Sequence, residues 1–111
     1  MQLPNFEFAI IEEEKLRNYC LNPDHPLGKH KAKVFKKRLG FVQSDSDRLK
    51  ALIFEKIAIS ECIETISSDY GRRVTVDFIL VNFGKEAMVR TAWIIKNEEL
   101  IPRLTSCYIV E

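Results

Sequence analysis

Hydrophobic residues keep a helical spacing to about residue 64, then switch to strict alternation beyond the turn-forming stretch SSDYG at 67–71. These two periods belong to amphipathic helices and half-buried strands. After an extended lead, MQLPNFEFAI, the stretch IEEEKLRNYCL predicts a first helix. Its acidic triplet suits the positive end of the helix dipole, and Leu16, Tyr19 and Cys20 form the apolar stripe. NPDHP ends it, because each proline disfavours helix in the residue before it. A second helix is expected from about Pro26–Gly28 to Leu39, with Ala32, Phe35 and Leu39 inward, Val34 beside them and Gly40 as its stop. Ser44 and Asp47 give a cap-like S-x-x-D pattern, and Leu49, Leu52, Ile53, Ile57 and Ile63 continue a third helix to about residue 64.

Beyond the turn, RRVTVDFILV alternates Val74, Val76, Phe78 and Leu80 with polar residues, and NFGK supplies a turn. EAMVRTAWIIK reads as a second strand with Val89, Thr91, Trp93 and Ile95 on one face and Met88, Arg90, Ala92 and Ile94 on the other. RLTSCYIVE reads as a third, with Leu104, Ser106, Tyr108 and Val110 opposite Thr105, Cys107 and Ile109. The expected fold is α+β: about three N-terminal helices packed on a C-terminal three- to four-stranded antiparallel meander sheet.

Composition sets the limits of this picture. With 111 residues, 46% hydrophobic and 30% charged, the chain suits a single domain, 1–111, with one core and no need of a disulfide or metal staple. Cys20, Cys62 and Cys107 lie far apart without CxxC or CxxH spacing, so they read as reduced structural thiols, Cys20 and Cys62 at apolar helix positions. No apolar run approaches the roughly 18 residues of a membrane span. The first residues lack a basic region followed by an apolar run, so no cleavable signal is expected and the compartment is the cytoplasm.

Charge is informative through its distribution. The net charge is only +1, yet residues 29–38 hold six of the 17 Lys and Arg residues and no acidic one. Within HPLGKHKAKVFKKRLG, the half KVFKKRLG is accounted for as an amphipathic helix with a basic outer face. The half HPLGKHKA gathers His25, Gly28, Lys29, His30 and Lys31 where that helix starts. Helix N-terminal amides bind phosphate, and Gly28 would permit its close approach. Histidine exchanges protons near neutral pH, so two of them beside lysines suit metal-free phosphodiester cleavage. The competing reading of either histidine is a cap or a packing residue. On the strands, Arg90 can fork onto a phosphate or pair across to Asp77, and the two readings weigh equally. Thr91 points to the face opposite Arg90, and Thr105, Ser106 and Tyr108 offer hydroxyls. No GxxxxGK[ST], no GxGxxG after a strand, no nucleophile elbow and no carboxylate–histidine cluster is present, so neither cofactor nor metal is expected.

The stretches KLRNYCLNPDHPLGKHKAKVFKKRLGF, DYGRRVTVDFIL, VRTAWII and PRLTSCYIV together resemble a bacterial domain family of unknown function, over about Lys15 to Val110. That family occurs as small free-standing proteins and, in similar domains, at the C-termini of phage minor head proteins and modular secreted toxins. The resemblance implies a nuclease, most plausibly a metal-independent ribonuclease, and the order of elements is similar to the barnase/EndoU/colicin/RelE-like ribonuclease architecture. Carried onto this chain, it implies His25, His30, Lys31, Arg90 and Tyr108 as catalytic residues. Gly28, Lys29, Thr91, Arg103 and Thr105 would bind substrate, and Tyr70 lies in a matching segment. RNA and an immunity- or antitoxin-type protein are the partners this implies. The alternative is a non-catalytic nucleic-acid-binding or protein-interaction module using the basic helix 29–38. Oligomeric state has no signature in the sequence.

Overall fold

A computed structural model describes residues 1–111. The expected α+β architecture is present, with helices preceding a four-stranded antiparallel sheet. Helix α1, Glu13–Lys15, runs on into a single π turn, Leu16–Cys20, in which the Leu21 amide donates to the Leu16 carbonyl at 2.8 Å. Helix α2 spans Lys29–Leu39 and stops at Gly40, whose φ of 73° is the left-handed conformation that ends helices. A 3₁₀ turn, Gln43–Asp45, leads into α3, Ser46–Ile57. Cys62–Glu64 is β1, Gly71–Asn82 β2, Lys85–Lys96 β3 and Arg103–Ile109 β4, paired in the order β1-β2-β3-β4.

The core lies between the helices and one sheet face. Phe35, Leu39, Leu49, Ile53 and Ile57 meet Val74, Val76, Phe78, Leu80, Val89 and Trp93, all buried. Burying each such side chain is worth about 1.5–3 kcal/mol. The alternation in β2 and β3 thus decides which residues remain outside: Asp77 and Arg90 face away from this core.

Four expectations are corrected. Helix α3 ends at Ile57, not near residue 64, and Ile63 pairs with Thr75 as part of β1. Cys62 is accordingly a strand residue, opposite Val76. In β4 the strict alternation fails, because Ala92 pairs with Ser106 while Trp93 pairs with Leu104. Thr105 is the extra residue of a bulge, which turns Leu104 inward together with Cys107 and Ile109. The lead is not wholly extended: Phe6–Phe8 forms a 3₁₀ turn, and Ile10 then pairs with Arg103 beside β4.

Candidate functional site

The chain in front of α2 is built around His25. Its Nδ1 accepts hydrogen bonds from the Leu27 amide at 3.0 Å and the Gly28 amide at 2.9 Å. Two amide protons aimed at Nδ1 leave the ring proton on Nε2. The ring also packs edge-on against Tyr19, centroids 4.8 Å apart. Lys29 N–H donates to the His25 carbonyl at 3.0 Å. The amides of residues 27 to 29 are therefore occupied within the protein, which leaves those of His30 and Lys31 as the unbonded amides of the first turn of α2.

Gly28 serves the same packing. A Cβ on it would lie 2.1 Å from the Tyr19 carbonyl oxygen. The close approach that needs glycine is thus to the Tyr19 backbone, and Gly28 is buried.

Tyr19, holding His25 on its edge, also meets Lys31. Lys31 Nζ donates to the Tyr19 hydroxyl at 3.0 Å and lies 5.7 Å from the centre of the Tyr108 ring. Tyr108 stands directly across from Arg90 in the β3–β4 ladder, and Arg90 directly across from Asp77 in the β2–β3 ladder. Arg90 forks onto Asp77, Nε to Oδ1 and Nη2 to Oδ2, both at 2.8 Å. Asp77, then the Tyr108 hydroxyl, push the Arg90 guanidinium further into its protonated range. Nη1 takes no part in that fork. The pair is half-exposed, so its contribution to stability is about 1 kcal/mol at most.

A groove of about 450 Å³ opens between α2 and β4, lined by His30, Lys31, Val34, Tyr108 and Ile109. His30 is exposed, and its imidazole makes no hydrogen bond within the protein. His30, Lys31 and Tyr108 thus share one groove, and Arg90 adjoins it through Tyr108. No group of three His, Cys, Asp or Glu side chains is placed to hold a metal ion.

The other expected residues are elsewhere. Thr91 is fully buried; its hydroxyl donates to the Val76 carbonyl at 2.8 Å and accepts from Trp93 Nε1 at 2.9 Å. It holds the core and has no surface to offer a substrate. Arg103 sits at the far end of β4, bonded to Glu99 at 2.9 Å, which raises its proton affinity and lowers that of Glu99. Thr105, in the bulge, donates to the Ala92 carbonyl at 3.1 Å. Tyr70 is exposed in the turn before β2. Lys29 is exposed on another flank of α2.

The sequence pattern gives two members of the cluster only structural parts: Tyr19 in an apolar stripe and Asp77 in a strand pair. The tyrosine in KLRNYCLNP was the available signal for the first, since it stands inside the family-like segment. Burial marks the thiols behind the site as inert. It pushes Cys20 up to about 11 and Cys107 well above the ordinary thiol value.

Neither a curated protein nor a solved structure matches this chain. A family model does match: that of a domain of unknown function, DUF6883, covers residues 2–111, and the chain belongs to that family.

Proposed function

We propose that the protein is a small, metal-independent endoribonuclease of the toxin type, acting in the cytoplasm on single-stranded RNA. The observation that supports this is the convergence of Lys31, Tyr108 and an unengaged His30 on one groove, with Arg90 beside it. In this reading His30 takes the proton of a ribose 2′-hydroxyl. The 2′-oxygen attacks phosphorus and the bond to the 5′-oxygen breaks. Tyr108 gives its proton to that leaving oxygen and regains one from water. The products are a 2′,3′-cyclic phosphate and a free 5′-hydroxyl. Lys31, held by Tyr19, and the Arg90 guanidinium offset the charge that grows on the phosphoryl oxygens. Asp77 orients the guanidinium, and His25 positions Tyr19 rather than moving protons. An immunity- or antitoxin-type partner would act by covering the same cationic groove.

The test is cleavage of RNA by purified protein with and without EDTA. Cleavage should persist in EDTA and fall by about 10²–10⁴-fold in His30→Ala. Lys31→Ala should lose activity too, while both variants keep the wild-type urea midpoint. Intact RNA after incubation with well-folded wild type would remove the catalytic reading. Salt-dependent RNA retention without cleavage would favour a non-catalytic binding module instead.

A further inference from the structure

Past His30 lies a second and larger groove, about 800 Å³, that the proposed chemistry leaves unused. It runs along the other flank of α2, between Lys29, Lys33 and Lys36 and the loop that follows Gly40, with Ala32 and Phe41 in its floor. On a helix these three lysines rise by about 6 Å and then about 4.5 Å, at ~1.5 Å per residue, so they form one row. None of them is in an ion pair; the seven ion pairs of the protein use arginines or the N-terminal amine. No acidic residue lines the groove. Asp45, the nearest acid of the loop, instead accepts from the Val42 amide at 2.8 Å. A row of unneutralised cations over an apolar floor suits a flexible polyanion that also carries flat apolar groups. His30 lines both this groove and the one holding Lys31 and Tyr108, so the two form one path.

We infer that this second groove binds the phosphodiester backbone of the RNA strand flanking the cleaved bond, with Lys29, Lys33 and Lys36 each meeting a phosphate. The inference rests on the ribonuclease reading for the direction of the path. An acidic protein segment would satisfy the charge but not the continuity with His30.

The experiment uses fluorescence anisotropy with a ten-nucleotide 2′-O-methyl RNA, which cannot be cleaved by 2′-oxygen attack, over a range of salt concentrations. Each lysine–phosphate contact contributes about 0.7 to the slope of log affinity against log salt for a single strand. The variant K29Q/K33Q/K36Q should therefore lower the slope by about 2 and weaken binding at least tenfold at fixed salt, whereas K96Q leaves both unchanged. The triple variant should cleave a dinucleotide at the wild-type rate but a ten-nucleotide RNA more slowly. A wild-type slope in the triple variant overturns the inference, as does tighter binding of a polyglutamate peptide than of the oligonucleotide by wild type. If wild type cleaves neither substrate yet the slope still falls with the lysines, the ribonuclease reading fails and the groove assignment stands.

Discussion

Replacing His25 by alanine separates a capping role from a catalytic one. The change removes the acceptor of the Leu27 and Gly28 amides and the edge contact with Tyr19. Leu27 is exposed, so water can satisfy its amide, but Gly28 is buried and its N–H loses its partner. Loss of a cap costs about 1 kcal/mol, a stranded buried amide about 1–3 kcal/mol and the aromatic contact about 0.5–1.5 kcal/mol. The first two describe the same bonds, so the expected total is about 1.5–4.5 kcal/mol. Urea unfolding should show a lower midpoint at unchanged slope. His25→Asn, which keeps an acceptor, should recover about 1 kcal/mol. Because a domain of this size is stable by roughly 5–15 kcal/mol, His25→Ala remains folded in buffer. Its RNA cleavage per folded molecule should stay within a few-fold of wild type. The reasoning is refuted if cleavage falls as far as in His30→Ala while the urea midpoint does not move.

Gly28→Ala places a Cβ 2.1 Å from the Tyr19 carbonyl oxygen and should cost about 3 kcal/mol or more by urea unfolding. Gly84→Ala, with nothing within 4 Å but a φ of 75°, should cost only about 1–2 kcal/mol. Thr91→Val strands the indole N–H of Trp93 and should cost about 1–3 kcal/mol, whereas Thr91→Ser should retain most of the stability. Neither Thr91 variant should alter cleavage per folded molecule. With a thiol reagent at pH 8, native protein should react at Cys62 alone, and all three cysteines should react after denaturation. In the native state burial keeps Cys20 and Cys107 protonated at pH values where the unfolded chain ionises them. Unfolding then releases protons, so their contribution to stability is intact below pH 9.0 and, for Cys20, is lost as the pH rises to about 11. Cys20→Ala should flatten that part of the stability–pH curve.

Most of the fold was legible because most of it is amphipathic. The stripe Ala32, Phe35, Leu39 and the stop at Gly40 define α2, and the alternation through Val74–Leu80 and Val89–Trp93 defines the central strands. What escaped depends on partners far away in sequence. Cys62–Glu64 has no alternation of its own and is a strand only because β2 offers its edge. The bulge at Thr105 is set by register with β3, which no local pattern displays. The candidate site divides in the same way. The cations and histidines were conspicuous by type, but the roles of His25 and Gly28 follow from three-dimensional contacts with Leu27 and Tyr19. Thr91 falls on the apolar face of its strand, opposite Arg90, but its partner, the indole two residues on, is visible only in three dimensions. Asp77 lies thirteen residues from Arg90, and the hairpin register is what brings them face to face.

The central claim is that His30, Lys31, Tyr108 and Arg90 cleave RNA through its own 2′-hydroxyl. End-group mapping of the products of a defined RNA oligonucleotide tests it most directly, with wild type and His30→Ala side by side in EDTA. The account predicts a 2′,3′-cyclic phosphate and a 5′-hydroxyl at each cut, no cut at a position carrying a single 2′-deoxy substitution, and about 10²–10⁴-fold less product from His30→Ala. Cutting at the 2′-deoxy position, products bearing a 5′-phosphate, or equal cleavage by His30→Ala would contradict it.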